Sequence, residues 1–234
     1  HLGWVAANDG NVSARMADGT FLATPTGISK SFITPEKLVK INAQGEILEA
    51  NDGYRPSSEM KMHMRCYELR DDVGAVVHAH PPAATGFAVA HLPMDRYIMI
   101  EAVISLGSVP LTPFGVPSTK EVPDAIAPYL PDHDAMLLEN HGAVTVGADL
   151  CTAYYRMETL ELWAKIELNA RLLGGEKEIS EKNIGRLLEG RTGPARVAAA
   201  LAAAPRVLIL DEPTAALDPE GKQEVFDVLE RIRQ

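Results

Sequence analysis

The sequence predicts an α/β fold in which a mainly antiparallel sheet is flanked by layers of helices. Two observations support this. Short β-rich segments separated by turns fill the first third of the chain, a pattern typical of antiparallel strand pairs. Further along, strand patterns alternate with helix patterns, of which the longest covers residues 150–173. A short strand and a final helix after residue 195 form a predicted C-terminal appendage.

The first strands are predicted as two pairs. Residues 11–16 and 20–24 are joined by Ala17-Asp18-Gly19, which is a hairpin signal. Residues 38–42 and 45–49 indicate a second pair. Residues 1–6 resemble the last turn of a helix, so we expect the chain to be a fragment.

The next segments predict a helix, a buried strand and a second helix. Pro56-Ser57-Ser58 offers an N-cap for a helix over residues 59–70. The apolar residues 73–80 follow as a strand. Pro81-Pro82 can open a helix over residues 83–90, because proline is tolerated in the first helical turn.

The second half of the domain is predicted to contain four more strands and a long helix. The strands cover residues 98–102, 108–111, 135–139 and 143–146. The helix over residues 150–173 ends at Gly174-Gly175. Four of its apolar side chains share one face and are expected in the core: Tyr154, Met157, Leu160 and Ala164.

Composition excludes several classes of protein. The 234 residues carry a net charge of −10 without a basic stripe, which argues against nucleic-acid binding. Two cysteines, Cys66 and Cys151, provide no disulfide framework and fit a reducing cytoplasm. We find no apolar run near the ~20 residues that span a bilayer and no signal peptide, so no membrane association is expected.

Four residues have the spacing of a metal site: Glu59, His78, His80 and His141. Side chains two apart on a strand point to the same face, so His78 and His80 can reach one ion. His141 follows another apolar run, and both histidine sites fall where a strand meets a turn. Imidazole with one carboxylate suits zinc or a similar divalent metal, and such a site can leave room for a substrate.

The alternative for each histidine is a buried ring that only hydrogen-bonds a backbone carbonyl. His63, His91 and His133 lack a comparable setting, and we interpret them as ordinary helix or loop residues. His1 is interpreted as a chain end.

Five motifs, in order along the chain, resemble the class II aldolase/adducin family, above all its zinc-dependent fuculose-phosphate aldolase branch. They are Gly10-Asn11-Val12-Ser13, Thr24-Pro25-Thr26-Gly27, Pro56-Ser57-Ser58-Glu59, His78-Ala79-His80-Pro81 and Glu139-Asn140-His141-Gly142. The resemblance covers residues 3 to about 190. It implies an α/β/α sandwich, a homotetramer with sites at subunit contacts, and a cytoplasmic enzyme of carbohydrate metabolism.

By this resemblance, His78, His80 and His141 bind one Zn2+ per subunit. Glu59 is implied as a fourth ligand in the resting site and as the catalytic base once substrate displaces it. The implied reaction is that of an aldehyde-lyase, in which a sugar 1-phosphate of the fuculose type is cleaved to dihydroxyacetone phosphate and an aldehyde. A divalent metal would stabilise the enediolate that cleavage leaves, and a carboxylate beside it can move the proton.

The substrate phosphate needs hydrogen-bond donors, because this acidic chain has few cations to offer. Backbone N–H groups, hydroxyls and one amide make six residues candidates: Gly10, Asn11, Thr26, Gly27, Ser57 and Ser58. The two serines also lie at a helix N-terminus, where anions bind readily. The alternative is plain turn and cap chemistry, which is common for such residues.

One position departs from the family pattern. Aldolases of the family usually carry tyrosine, a proton donor at a neighbouring subunit's site, where this chain has Phe114. Related members epimerise pentulose phosphates at C4, dehydrate or decarboxylate sugar phosphates, or, as adducins, act as non-catalytic scaffolds. The choice among these chemistries stays open, although the complete Glu59 and histidine set speaks against a scaffold.

The tail resembles a second family. We assign residues 1–190 to the aldolase-like domain and residues 195–234 to a partial ABC-transporter ATPase segment. Residues 207–213 match a Walker B strand and residues 215–218 a D-loop, which implies magnesium and water contacts for Asp211 and Glu212. The sequence contains no Gly-x-x-x-x-Gly-Lys-Ser/Thr loop, so ATP binding is not expected.

Overall fold

A computed structural model describes residues 2–51 and 53–188. Within that part, one sheet is formed by β1 Asn11–Arg15, β2 Phe21–Ala23, β3 Val39–Ile41, β4 Ile47–Glu49, β5 Ala75–Ala79, β6 Leu111–Thr112, β7 Ala135–Leu138 and β8 Gly142–Gly147. The helices are α1 Met60–Leu69, α2 Pro82–Val89, α3 Ile100–Ser105, α4 Glu121–Ile126, α5 Leu150–Leu172 and α6 Glu181–Leu188. The architecture is therefore mixed α/β, as the sequence predicts.

The sheet has the strand order β4-β3-β2-β1-β5-β8-β7-β6. Every neighbouring pair is antiparallel except β6 and β7, which are parallel. β5 lies between β1 and β8, and all five of its residues are buried. Its register places His78 opposite Asn11 on one side and Val144 on the other, so a histidine is built into the centre of the sheet.

Helices cover the sheet with apolar side chains. Helix α1 contributes Met62 and Cys66 to a core shared with Val39 and Ile41 of β3. Helix α5 packs on β5 and β8, and its Trp163 is 1% exposed. Burying such side chains stabilises the fold by roughly 1.5–3 kcal/mol each.

The chain divides into two compact units. The first contains residues 1–94 and 109–176 and holds the sheet with α1, α2, α4 and α5. The second contains residues 95–108 and the described part of 177–234, where α3 contacts α6. Inside this second unit the Ile179 N–H donates to the Tyr97 carbonyl at 2.7 Å.

The prediction of a strand at residues 98–102 is wrong, because residues 100–102 begin helix α3 and residues 98–99 form no strand. The buried side chains are Ala102, Val103 and Leu106, whereas Ile100 is exposed. This is the spacing of a helix face rather than the alternation of a strand. A short apolar run fits a helix as well as a strand, so the sequence does not distinguish the two where the flanking turn signals are weak.

Three smaller expectations also need correction. The strand predicted at residues 108–111 lies later, as β6, while Val109 makes an isolated bridge to Met94. Met157, Leu160 and Ala164 are buried as predicted, but Tyr154 is 36% exposed. Residues 2–6 form no helix.

The remaining differences concern two unpredicted helices and one segment that the structure does not describe. Helices α4 and α6 were not predicted from the sequence. The ATPase-like segment, residues 195–234, lies outside the described residues. Among those that are described, no helix combines the length and apolar character needed to cross a bilayer.

Candidate metal centre

Three structural elements bring the predicted metal ligands together. His78 lies on β5 and His80 directly after it, so their side chains leave the strand on the same face. His141 lies in the turn between β7 and β8, and β8 pairs with β5. Glu59 lies at the N-cap position of α1. Residues far apart in sequence therefore meet at the C-terminal end of β5, in the middle of the sheet.

The four side chains converge on a common point. The Nε2 atoms of His78 and His80 are 3.2 Å apart. Glu59 Oε2 is 3.5 Å from His78 Nε2, and Glu59 Oε1 is 3.4 Å from His141 Nε2. One nitrogen from each histidine lies within 4.8 Å of the others. This group can hold a metal ion.

The hydrogen bonds direct the Nε2 atom of His78 toward His80 and Glu59, where a metal would bind. His78 Nδ1 is 2.9 Å from the Ala143 carbonyl, so Nδ1 carries the proton and Nε2 presents its lone pair. Burial, followed by the neighbouring His141 and His80, lowers the pKa of His78 well below 6.5. Burial also lowers the pKa of His141. Neutral imidazole is the form that ligates metals.

Unpaired polar atoms support the same interpretation. Glu59 Oε1 is buried and has no hydrogen-bond partner within the described residues. Buried polar atoms are normally paired, because leaving one unpaired costs about 1–3 kcal/mol. A cation between Glu59 and the three imidazoles would satisfy this oxygen. The nitrogen and oxygen donors fit zinc or a similar divalent metal.

Glycine is required beside two of the histidines. A Cβ on Gly142 would lie 2.5 Å from His80 Cδ2 and 2.6 Å from the Ala79 carbonyl oxygen. Gly10 has a φ of +71°, and a Cβ there would lie 2.9 Å from the His78 carbonyl oxygen. Only glycine fits these close approaches without moving the imidazoles or the backbone.

The residues predicted to bind phosphate lie on adjacent segments. Asn11 Nδ2 is 3.2 Å from Ser57 Oγ. The Ser57 N–H donates to the Thr24 carbonyl, and the Thr26 N–H donates to the Arg55 carbonyl. These bonds tie the segments around residues 10–11, 24–27 and 55–58 to one another.

The residues predicted to bind phosphate differ in their exposure to solvent. Asn11 is 2% exposed, whereas Thr26, Gly27 and Ser58 are open to solvent. The Ser58 hydroxyl is 2.6 Å from the Ser118 hydroxyl. The proposed phosphate role therefore divides between a buried amide beside Glu59 and more accessible backbone and hydroxyl groups.

The sequence analysis missed His63. Its ring is fully buried on α1, with Nε2 2.6 Å from Asn11 Oδ1 and Nδ1 2.7 Å from Ser13 Oγ. Burial lowers the pKa of His63 to about 3, so the ring is neutral. The helix that carries His63 was predicted correctly. Its contacts with β1 depend on how α1 packs on the sheet, and the local sequence pattern does not determine that packing.

The fold and this site define an α/β protein with a group of three histidines that is able to hold a metal ion. Residues 1–168 match the family described as Class II Aldolase and Adducin N-terminal domain. The chain belongs to that family.

Curated relatives have several activities in their names. A 3-oxo-tetronate 4-phosphate decarboxylase of Escherichia coli is 32% identical over 81% of this chain and 88% of its own length. An L-fuculose phosphate aldolase of the same species is 31% identical over 80% of this chain and 86% of its own. A 5-deoxy-D-ribulose 1-phosphate aldolase of Bacillus thuringiensis is 30% identical over 80% of this chain and 89% of its own length.

Solved structures agree with the fold. An L-fuculose 1-phosphate aldolase superposes with a TM-score of 0.73 at 27% identity, covering 80% of this chain and 87% of that one. The L-fuculose-1-phosphate aldolase of Thermus thermophilus superposes with a TM-score of 0.65 at 35% identity, covering 76% of this chain and 91% of that one.

Proposed function

We propose that this protein is a zinc-dependent aldehyde-lyase that cleaves a small sugar 1-phosphate of the fuculose type to dihydroxyacetone phosphate and an aldehyde. The observation that carries the proposal is the convergence of Glu59 with His78, His80 and His141. The names of the aldolase relatives support the substrate class. The family resemblance extends the proposal to a cytoplasmic homotetramer.

The three imidazoles would hold the ion through Nε2, with Glu59 as the exchangeable fourth ligand. A zinc ion held there supplies Lewis acidity, which lowers the energy of the enediolate left by carbon–carbon cleavage. The protein contributes orientation. His78 is fixed by its bond to the Ala143 carbonyl, and its buried strand keeps that ring in place.

Glu59 is the proposed base. Its carboxylate lies 3.4–3.5 Å from two imidazole nitrogens, so it would lie beside a substrate bound at the histidine group. It would take the hydroxyl proton as the carbon–carbon bond breaks, and a proton then returns to the enediolate carbon. Asn11 holds Glu59 Oε2 at 2.8 Å, which keeps the carboxylate in this place.

The phosphate is proposed to bind the donors of Gly10, Asn11, Thr26, Gly27, Ser57 and Ser58. Ser57 contacts the same Asn11 amide as Glu59 does. The phosphate site and the base are therefore linked through one side chain, which fits a substrate whose phosphate is close to its reacting carbons.

A second candidate is decarboxylation or another enediolate reaction of a sugar phosphate, such as epimerisation at C4. Phe114 favours it, because this exposed ring carries no hydroxyl to donate the proton that the family's tyrosine supplies. A curated decarboxylase is also 32% identical to the chain. These reactions would use the same ion and base. Decarboxylation breaks the bond to the carboxylate, whereas epimerisation at C4 breaks a carbon–carbon bond as the aldolase does and then re-forms it.

The test is to load the protein with zinc and supply L-fuculose 1-phosphate, a pentulose phosphate or 3-oxo-tetronate 4-phosphate in separate assays. Release of dihydroxyacetone phosphate together with an aldehyde from L-fuculose 1-phosphate supports the aldolase proposal. Release of carbon dioxide from 3-oxo-tetronate 4-phosphate, which also leaves dihydroxyacetone phosphate, supports the second candidate. Glu59→Gln should abolish turnover while the histidines still bind zinc. Turnover that survives Glu59→Gln, or no turnover of any of these substrates, would overturn the proposal.

A further inference from the structure

A continuous hydrogen-bond array runs from the core to Glu59. The Tyr67 hydroxyl is 2.8 Å from Ser13 Oγ, which is 2.7 Å from His63 Nδ1. His63 Nε2 is 2.6 Å from Asn11 Oδ1, and Asn11 Nδ2 is 2.8 Å from Glu59 Oε2. Every member before Glu59 is at most 5% exposed. The bonds among these four residues are therefore shielded from solvent.

The chemistry of the groups fixes the direction of each bond. An ionised Glu59 only accepts, so the Asn11 amide must turn its NH2 group toward the carboxylate. Asn11 Oδ1 then faces His63, and His63 Nε2 must carry the ring proton. His63 Nδ1 is therefore an acceptor, and the Ser13 hydroxyl donates a hydrogen bond to it.

The opposite arrangement is excluded by repulsion between acceptors. If His63 carried its proton on Nδ1, two lone pairs would meet at 2.6 Å between Nε2 and Asn11 Oδ1. The amide would relieve this only by rotating, which would turn Oδ1 toward Glu59 Oε2. The buried neutral ring therefore decides which end of Asn11 faces the base.

We propose that His63 is a positioning residue: it fixes the orientation of the Asn11 amide, and through it the Glu59 carboxylate. Asn11 occupies Oε2, whereas Oε1 has no hydrogen-bond partner among the described residues and faces His141. The array thus selects the carboxylate oxygen that is left for the ion and the substrate. The catalytic consequence depends on the proposed function.

The tautomer is measured directly, without substrate. Nitrogen-15 NMR of the wild-type protein labelled at histidine should show His63 Nε2 protonated and Nδ1 unprotonated at about pH 7. A proton on Nδ1 would overturn the proposal. Since no turnover is involved, this result stands even if the proposed reaction is wrong.

Variants then test the effect on catalysis. His63→Leu removes both bonds, and we expect kcat to fall about 10- to 100-fold with a smaller change in KM, as for other supporting partners of a metal site. His63→Gln, whose amide nitrogen can donate to Asn11, should recover most of that loss. Recovery by Gln would not be expected if the ring only filled space.

Met62→Ala is the matched control for lost stability. Met62 is buried on the same helix, and its side chain packs into the apolar core. It should lower stability while leaving kcat near wild type. Equal kcat losses in His63→Leu and Met62→Ala would overturn the proposal. If His63→Leu does not fold, His63→Gln and the NMR measurement still decide it. If the wild type turns over no substrate, the proposed function fails while the tautomer result remains decisive.

Discussion

Asn11 Nδ2 donates a 2.8 Å hydrogen bond to Glu59 Oε2, although 48 residues separate the two in sequence. The bond exists because β1 pairs with β5 beside the histidines, while α1 begins directly after Glu59. It joins a residue of the predicted phosphate site to the proposed base. The candidate metal centre and the proposed substrate site are therefore joined by a hydrogen bond.

Asn11→Ala should reduce turnover more than it reduces metal binding. It leaves Glu59 Oε2 without its donor, so we expect kcat to fall about 10- to 100-fold while zinc stays bound. The measurement is steady-state kinetics together with metal content. Asn42→Ala, in the turn between β3 and β4, is the control and should leave both unchanged. Unchanged kcat in Asn11→Ala would contradict the role given to this bond.

Gly142→Ala should weaken metal binding. The new Cβ would meet the His80 ring at 2.5 Å and displace it, and such shifts typically cost about 10- to 100-fold in affinity. Zinc affinity by competition with a chelator measures this. Gly86→Ala in α2 is the control, since its Cβ meets nothing within 4 Å. Equal zinc affinities in the two variants would show that the close approach has no consequence.

Glu161→Ala should destabilise the protein. This carboxylate on α5 is 2% exposed and accepts from the backbone N–H groups of Ala83 and Ala84 at the start of α2. Removing it leaves two donors unpaired, which costs about 3 kcal/mol of unfolding free energy. Chemical denaturation measures the loss. Glu161→Gln keeps one acceptor oxygen and should lose clearly less; a larger loss in Gln than in Ala would contradict this account.

Stability of the zinc-free protein should fall below about pH 6.5, partly because of His63. Its pKa is about 3 in the folded protein against 6.5 when exposed, so the unfolded chain takes up a proton that the folded one does not. Between these two pKa values, each fall of one pH unit therefore lowers the free energy of unfolding by up to about 1.4 kcal/mol. Titratable groups around His63 are Tyr67, linked through Ser13, Glu59, linked through Asn11, and His78.

Denaturation between about pH 6.5 and pH 5 checks this pH dependence. His63→Gln keeps the donor toward Asn11 but cannot be protonated, so its stability should decline less steeply than that of the wild type. Contributions from His78 and His141 are common to both proteins and cancel in the difference. Parallel curves would show that His63 is not the group that titrates.

Local sequence patterns predicted the elements that carry the proposed metal ligands. The apolar run before His78 and His80 gave the strand, and the run before His141 gave its neighbour. The same reasoning failed at residues 98–102, where a short apolar segment forms α3. The sequence also did not predict the hydrogen bonds of His63, because the helix pattern around that residue does not indicate contacts with Asn11 and Ser13 on β1. Register and packing decide such contacts, and both are properties of the assembled sheet.

An anomalous-difference X-ray map of zinc-loaded crystals tests the central claim most directly. We expect one peak about 2.0–2.1 Å from Nε2 of His78, His80 and His141, with a Glu59 carboxylate oxygen within about 2.2 Å. A zinc peak at other side chains, or none where these four meet, would contradict the account.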